Sequence, residues 1–495
     1  MAVLRSWQRY SCETAPSYVD LTQFDEELPV AVTTPTAPTE APANPATPPP
    51  LKSRWIEDWR PDDPEFWDGG GSVIAKRNLV FSIFSEHIGF SIWSMWSVFV
   101  LFLGPEFGLD PGKKFLLTMV PTLVGSLMRL PYTFAVAKFG GRNWTMISSA
   151  LLVIPCMTAA YALRPGVSFT TLLVCAAFAG FGGGNFSSSM SNIEAFYPQR
   201  MKGWALGLNA GGGNLGVAAV QLVGLGVLAV YGAAHPRIIL AVYLPLIALA
   251  VAGAALAMDN LRHVTNEKRA MREVVGEPHA WAMSFLYIGT FGSFIGFGFA
   301  FGQVLQTQFY SDLEAPQAAL KAAHLTFLGP LLGSLVRPIG GRLADKLGGA
   351  RVAITTFVGM AIGASVVLVA SRQASLPLFL VGFVTLFVLS GLGNGATYKM
   401  IPAIFRAKAD RAVLAGADPS ASLAIAQKRS RALIGVAGAI GGLGGVLVNL
   451  AFRQSFLTDG TGDGAYMAFI AFYVACVFVT WAVYLRPSSH RLAGV

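Results

Sequence analysis

Gly125-Ser-Leu-Met-Arg129 is a stretch that occurs twice in this chain, and its second copy is Gly333-Ser-Leu-Val-Arg337. The two copies lie 208 residues apart. The basic turn after the first copy, Lys138-Phe-Gly-Gly-Arg142, is repeated at the same offset as Lys346-Leu-Gly-Gly-Ala-Arg351. Both copies of the stretch lie within runs of apolar residues that are long enough to cross a membrane. Each half of the chain therefore places one arginine inside a predicted membrane span.

Both arginines are expected to lie deep in the membrane. The helix should leave the membrane near Lys138, and the distance from Arg129 to that point is roughly 13 Å at about 1.5 Å per residue. The hydrocarbon core is about 30 Å thick, so the arginines lie near its midplane. A permanent charge there is costly and indicates a functional site. Because no acidic residue is repeated beside them, we interpret Arg129 and Arg337 as a clamp whose counter-ion is the ligand.

The composition is that of an integral membrane protein. Of 495 residues, 54% are hydrophobic and only 13% are charged, which lies outside the range of soluble globular domains. Apolar runs predict twelve membrane spans, at about 79–103, 115–137, 144–163, 168–197, 204–231, 238–258, 280–309, 322–344, 352–371, 376–405, 431–456 and 465–485.

The two halves of six spans are expected to run parallel. Phe84-Ser-Glu86-His87-Ile-Gly89-Phe90 in the first span is matched by Phe291-Gly-Ser293-Phe294-Ile-Gly296-Phe297 in the seventh, at an offset of 207. This arrangement resembles the major facilitator superfamily, in which the substrate lies at the midplane between the halves. We therefore predict an all-α membrane protein with twelve transmembrane helices in two pseudo-symmetric six-helix halves.

The remaining residues form tails and connecting segments. A Thr/Pro/Ala tract from Thr33 to Pro50 cannot form a core, and the tryptophans and charges that follow it suit a membrane interface. The predicted divisions are a disordered cytoplasmic tail at 1–50, an interfacial segment at 51–76, an N-terminal six-helix half at 77–259, a cytoplasmic linker at 260–279, a C-terminal six-helix half at 280–486 and a cytoplasmic tail at 487–495.

The net charge of +9 follows the topology and does not indicate a nucleic-acid partner. Most lysines and arginines fall in the termini and the even-numbered turns, which places both termini in the cytoplasm by the positive-inside rule. The opposite turns hold only seven: Lys113, Lys114, Arg164, Arg237, Lys321, Arg372 and Arg453.

Spans 4, 5 and 10 carry asparagines among small residues. The motifs are Gly184-Asn185-Phe186-Ser-Ser-Ser-Met-Ser-Asn192-Ile, Lys202-Gly-Trp-Ala-Leu-Gly-Leu-Asn209-Ala-Gly-Gly-Gly-Asn214-Leu-Gly-Val and Gly393-Asn394-Gly395. Small residues let membrane helices pack closely, but close packing does not call for buried amides.

Together these motifs resemble the nitrate signatures of bacterial NarK-type nitrate/nitrite porters, and the resemblance extends from Trp55 to about Arg486. It implies a monomeric multi-pass transporter of nitrate and nitrite in the bacterial cytoplasmic (inner) membrane, without a cofactor or a metal. The implied substrate-binding residues are Arg129, Arg337, Phe186, Phe291, Tyr287, Asn185, Asn394 and Asn214, with Asn209 as the alternative to Asn214.

These residue types suit a flat oxyanion. Guanidinium is planar and forked, so it gives paired hydrogen bonds to a planar anion, which an ammonium group cannot do. Phe186 and Phe291 come from different halves and can cover the two faces of nitrate. Nitrite should also fit, whereas sulfate would need more donors.

An enzyme and a receptor are the other classes to weigh. The six histidines, at 87, 235, 263, 279, 324 and 490, form no ligand cluster, and the four cysteines have no metal-like or paired spacing. A non-transporting anion sensor would be expected to carry a soluble output domain, which is not evident. The sequence thus favours a transporter.

Glu86 decides the predicted coupling mode. It lies level with Arg129, so the occupant of the arginine clamp can decide its protonation. Bound nitrate would let Glu86 take a proton, and departure of nitrate would let it ionise and pair with Arg129. This cycle predicts proton-linked nitrate import, with His87 as either a helper or a packing residue of the first span. The alternatives are nitrate/nitrite exchange and a Glu86 that stays in a permanent ion pair.

Glu194 and Lys399 lie at similar depth in spans 4 and 10. We predict that they pair across the cytoplasmic gate when the carrier faces outward. The alternative is two separate side chains that reach toward water.

Overall fold

The computed structural model describes residues 54–262, 264 and 268–487. The predicted tail at 1–50 and nearly all of the predicted C-terminal tail lie outside these ranges.

Twelve long helices occur in the described part of the chain. Eleven are long and apolar enough to cross a membrane, and the other is α1, whose 31 residues also suffice at about 1.5 Å each. All twelve predicted spans are present, so the predicted fold class is confirmed. Their bounds are α1 Ser72–Phe102, α2 Pro111–Phe139, α3 Gly141–Ala162, α4 Phe169–Phe196, α5 Lys202–Tyr231, α6 Arg237–Ala257, α7 Pro278–Gln308, α8 Ala315–Leu347, α9 Gly349–Arg372, α10 Leu376–Leu414, α11 Pro419–Thr458 and α12 Asp463–Leu485.

The repeat found in the sequence is also a repeat in structure. Gly140 joins α2 to α3 with φ +85°, and Gly348 joins α8 to α9 with φ +91°. Glycine adopts these positive φ values without the steric cost of a Cβ. We call the face of the bundle that holds these two turns the basic face, after the neighbouring lysines and arginines, and the other face the opposite face.

Helices α10 and α11 differ most from the predicted bounds. Apolar runs ended at 405 and began again at 431, but the helices continue to Leu414 and start at Pro419. The extra turns carry Arg406, Lys408 and Lys428. Hydropathy marks only the apolar part of a helix, whereas backbone hydrogen bonding continues into water.

The segment before α1 packs on the protein itself. Strand β1, Trp55–Ile56, pairs in parallel with β2, Asn260–Leu261, which follows α6. The Trp59 indole donates to the Phe196 carbonyl at 3.3 Å, and Trp59 and Trp67 are both buried. The segment predicted to lie at the membrane interface thus has two of its tryptophans among the basic ends of the helices.

The opposite face is closed between the two halves. The Thr118 hydroxyl donates to Asn449 Oδ1 at 2.8 Å, which links α2 to α11. Two further side-chain hydrogen bonds cross between the halves at 2.8 Å, from Gln221 to the Gly298 carbonyl and from Gln303 to the Pro111 carbonyl. We call these three hydrogen bonds the closed seam.

Candidate functional site

The two repeated arginines are buried at equivalent places in α2 and α8. Arg129 is 0% exposed and Arg337 is 3% exposed. The glycines that open the two repeated stretches allow the helices around them to come close. A Cβ at Gly125 would lie 2.3 Å from the Trp93 indole nitrogen, and one at Gly333 would lie 2.8 Å from the Phe387 carbonyl oxygen.

Each arginine keeps one terminal nitrogen without a protein partner. Arg129 donates through Nη1 to the Gly438 carbonyl at 2.7 Å, and Arg337 donates through Nη2 to the Tyr287 hydroxyl at 3.3 Å. Nη2 of Arg129 and Nη1 of Arg337 are buried and have no hydrogen-bond partner in the protein. A buried charged donor left in this way costs at least about 1–3 kcal/mol. The arrangement therefore suits an anion that accepts from both.

Both guanidinium groups converge on the same aromatic ring. The Arg129 Cζ lies 4.6 Å from the Phe186 centroid and 4.5 Å from that of Phe291, and the Arg337 Cζ lies 5.9 Å from Phe186. These distances are within cation–π range. The structure thus brings the two predicted arginines and the two predicted phenylalanines into one site.

The two phenylalanine rings contact each other. Their centroids are 6.0 Å apart and their planes are inclined by 28°. A flat anion with one ring on each face needs about 7 Å between the rings, because each van der Waals contact takes about 3.5 Å. The rings must therefore separate by at least about 1 Å for an anion to lie between them.

Two tyrosines complete the wall near Arg337. Tyr287 stacks on Phe291 with centroids 5.2 Å apart, beside the arginine as the resemblance implied. Tyr398, which the sequence analysis missed, lies under the Arg337 guanidinium at 5.7 Å, and its buried hydroxyl has no partner. Its spacing could have identified it, since Tyr398 follows the predicted site residue Asn394 by one helical turn and therefore lies on the same helix face.

The asparagines have different surroundings. Asn214 and Asn394 are buried, and both polar side-chain atoms of each lack a protein partner. Asn185 packs against α1, because its Nδ2 lies 2.7 Å from where a Cβ at Gly89 would be. Asn209 instead donates to Glu86 and to the Ser189 hydroxyl. Asn214 thus keeps free polar groups, whereas Asn209 faces the carboxylate.

Comparison with known proteins gives the family. Residues 79–447 match the Major Facilitator Superfamily. The nitrate/nitrite transporter NarU of Salmonella typhimurium is 37% identical over 87% of this chain and 96% of its own length. The probable nitrate/nitrite antiporter NarK2 of Thermus thermophilus is 32% identical over 89% of this chain and 98% of its own length. The chain belongs to the NarK-type porter family of the major facilitator superfamily.

Solved structures support the same fold. A bacterial homologue of the human lysosomal transporter Spinster, in an inward-facing and occupied conformation, superposes with a TM-score of 0.58 at 19% identity and covers 83% of this chain and 98% of its own. The nucleoside transporter NupG superposes with a TM-score of 0.55 at 12% identity, covering 82% and 99%. At these identities the likeness concerns the fold alone.

Glu86 of this porter is fully buried in α1. Its Oε2 accepts from Asn209 Nδ2 at 2.7 Å, and its Oε1 has no partner. Arg129 and Arg337 are the cations whose charges act on it. Among the described residues, no ion pair within 4.0 Å joins Glu86 to either arginine. The predicted pair with Arg129 is therefore absent from this conformation.

His87 contacts α5. Its Nδ1 donates to the Gly212 carbonyl at 3.1 Å. This contact joins α1 to α5 where Gly216 lets the two backbones approach, since a Cβ at Gly216 would lie 2.2 Å from the His87 carbonyl oxygen. A packing role for His87 agrees with this geometry.

The structure does not bring Glu194 and Lys399 together. Lys399 pairs with Asp345 of α8 at 2.9 Å. Glu194 lies 3.6 Å from Lys202 and 3.8 Å from Arg431 of α11. The pairing was predicted for an outward-facing carrier, whereas the closed seam shuts the opposite face here. In this conformation the partner of Glu194 in the other half is Arg431, which the sequence analysis missed.

Among the described residues, no group of three or more His, Cys, Asp and Glu could hold a metal ion. The family assignment confirms a transporter and not an enzyme.

Proposed function

We propose that this protein transports nitrate and nitrite across the cytoplasmic membrane by alternating access, with Arg129 and Arg337 as the anion clamp. The observation that carries the proposal is the convergence of two buried arginines, from equivalent helices of the two halves, on the Phe186 ring. Each arginine has one terminal nitrogen to offer. The named relatives are nitrate/nitrite transporters, which agrees with a planar anion as ligand.

Alternating access then follows from the positions of the clamp residues. Arg129 and Phe186 belong to the N-terminal half, whereas Arg337 and Phe291 belong to the C-terminal half. An anion held by all four draws the halves together, and parallel repeats of this kind rock around a site at the midplane. The rings separate by at least about 1 Å to admit the anion.

Nitrate import is coupled to protons through Glu86. The clamp holds two positive charges, and either an ionised Glu86 or a bound nitrate offsets one of them. A proton on Glu86 when nitrate is bound, and an ionised Glu86 when it is not, keeps the charge of the site nearly constant through the cycle. The free Oε1 of Glu86 and the two arginine charges that act on it support this role. Asn209 keeps the carboxyl group in place.

Glu86→Gln tests the coupling. In proteoliposomes with internal nitrate sensed by fluorescence, the unmodified protein should accumulate nitrate when a pH gradient is imposed. Glu86→Gln should abolish this accumulation and retain exchange of external nitrate for internal nitrite, because the amide cannot release a proton. Glu106→Gln, in the exposed turn between α1 and α2, is the control and should behave as the unmodified protein. Accumulation by Glu86→Gln would rule out the mechanism.

Nitrate/nitrite exchange is the second candidate. It is favoured by the Thermus thermophilus relative, whose name is that of a probable antiporter. In the same vesicles, exchange predicts that nitrate enters only when nitrite is inside, whatever the pH gradient. A protein that binds nitrate but moves none would instead be a sensor.

We further propose that the basic face lies in the cytoplasm, in accordance with the positive-inside rule, and that the porter is a monomer. The domain divisions given from the sequence remain part of this proposal. Protease accessibility of a C-terminal tag in right-side-out vesicles tests the orientation, and mass measurement in nanodiscs tests the oligomeric state.

A further inference from the structure

A cavity extends from Phe186 toward the basic face. Its wall includes Phe186 and Tyr398 beside the clamp, and Glu194 and Arg431 further out. Glu194 follows Phe186 by eight residues in α4, which is roughly 12 Å along the helix. Arg431 precedes Gly438, the carbonyl partner of Arg129, by seven residues in α11, or roughly 10 Å. The outer residues thus lie between the clamp and the basic face.

The charges at the outer end are loosely paired. Glu194 shares its charge between Lys202 at 3.6 Å and Arg431 at 3.8 Å. Both separations exceed the roughly 2.7–2.9 Å of a charge-assisted hydrogen bond. The Arg431 side chain is 46% exposed, whereas that of Glu194 is 15% exposed. Two cations and one carboxylate leave this end of the cavity positive, and Arg431 has a guanidinium group that an anion can reach.

Tyr398 supplies a donor between the clamp and Arg431. Its ring lies under the Arg337 guanidinium, and its hydroxyl is buried without a partner. An anion that left two buried arginines directly for water would lose both charged donors at once, and hydrogen bonds to charged groups are the strongest ones to lose. If the anion passes first to the Tyr398 hydroxyl and then to Arg431, it forms a new hydrogen bond each time it loses one to the clamp. In channels, an ion leaves readily only when its binding is weak or divided among several sites, and an anion that leaves the clamp meets the same requirement.

We propose that Arg431 and Tyr398 form a second anion-binding position in this cavity, on the path of nitrate or nitrite between the clamp and the basic face. Glu194 competes with the anion for Arg431 and so keeps this position weak. The inference rests on the proposed function and extends it to the path. It predicts opposite effects for the two members of the Glu194–Arg431 pair.

The test is the KM for nitrate presented at the basic face of proteoliposomes. Arg431→Gln should raise this KM about tenfold, the lower end of the loss expected for one charged hydrogen bond, because Glu194 competes for Arg431. Tyr398→Phe should also raise it, although the ring over Arg337 is kept. Glu194→Gln should lower it, because Arg431 is then free for the anion. Arg429→Gln is the matched control, since Arg429 lies on the same helix and pairs with Glu273 at 3.3 Å.

Only variants that purify as monodisperse protein are compared, and each result then supports or overturns the second anion-binding position. If Glu194 and Arg431 form only a gate, both single variants should change flux in the same direction, and that result would overturn the inference. A KM for Arg431→Gln equal to that of Arg429→Gln would overturn it as well, while nitrate transport by the unmodified protein stood. Absence of nitrate flux in the unmodified protein would overturn both the inference and the proposed function.

Discussion

At the scale of single residues, the fork of the guanidinium group matters more than its charge. Arg129 donates to Gly438 through one terminal nitrogen and keeps the other free, and Lys has no second arm for this. We expect Arg129→Lys and Arg337→Lys each to weaken nitrate binding by about 10–100-fold, the loss of one charged hydrogen bond. Titration calorimetry of the purified variants measures this.

The control for these variants is Arg372→Lys. Arg372 is exposed and pairs with Asp463 at 3.2 Å, so the same chemical change at this position should leave nitrate binding intact. Near-normal binding by either clamp variant would contradict the role of the fork.

Sequence and structure agree that Arg129 and Arg337 lie at equivalent buried places, because the repeat itself selected them. The roles of Asn209 and Asn214 were harder to separate, since five residues along a helix turn a side chain to a different face. Asn209 lies on the face of α5 that packs against Glu86, as does Gly213, where a Cβ would lie 2.2 Å from Glu86 Oε1. Which of the two asparagines faces Glu86 is thus known only from the packing of α5 on α1.

At the scale of helices, contacts between glycines and backbone set how closely the spans pack. A Cβ at Gly391 of α10 would lie 2.0 Å from the Gly333 carbonyl oxygen of α8, whereas a Cβ at Gly207 of α5 would meet nothing within 4 Å. We expect Gly391→Ala to destabilise the protein by about 1–3 kcal/mol through overpacking. Gly207→Ala should be neutral or slightly stabilising, because alanine favours a helix. Thermal unfolding in detergent compares the two variants, and equal melting temperatures would contradict this account.

The apolar runs predicted the helices well because hydrocarbon-spanning segments must be apolar and helical. They did not predict strands β1 and β2, whose two residues each leave no pattern. Nor did they predict how Asp259 joins the two ends of the N-terminal half, through Arg77 at 2.5 Å and Arg54 at 3.5 Å. Such polar contacts depend on which distant segments the fold brings together, and a hydropathy pattern carries no information about that.

At the scale of the whole molecule, the internal repeat predicted two halves but not which side of the bundle would be shut. The Glu194–Lys399 prediction concerned the outward-facing state, whereas the structure closes the opposite face and gives these residues other partners. A repeat relates equivalent positions within the halves. Contacts between the halves join non-equivalent positions, and they change during the transport cycle. The same sequence therefore forms different contacts between the halves in different conformations, and the repeat does not predict which of them a given structure shows.

The closed seam provides a test of that cycle. Thr118 and Asn449 come from different halves, and their side chains are hydrogen-bonded at 2.8 Å. In Thr118→Cys/Asn449→Cys, a short bis(methanethiosulfonate) cross-linker, which attaches through disulfide bonds, can react with one cysteine when the opposite face opens and reach the other when it closes. The cross-link should stop nitrate flux in both directions, because it prevents the halves from separating at this face. Cleavage by a reductant should restore flux.

The single variants and the unmodified protein control for other effects of the reagent. The described native cysteines, Cys156, Cys175 and Cys476, are buried and unpaired, so they should not be bridged.

Intact mass reports how much of the double variant carries the cross-link. Because the halves of a carrier must separate at each face in turn, flux should fall in proportion to that fraction. Undiminished flux through fully cross-linked protein would show that the opposite face opens without separation of α2 from α11, and rocking of the two halves would then be wrong for this porter.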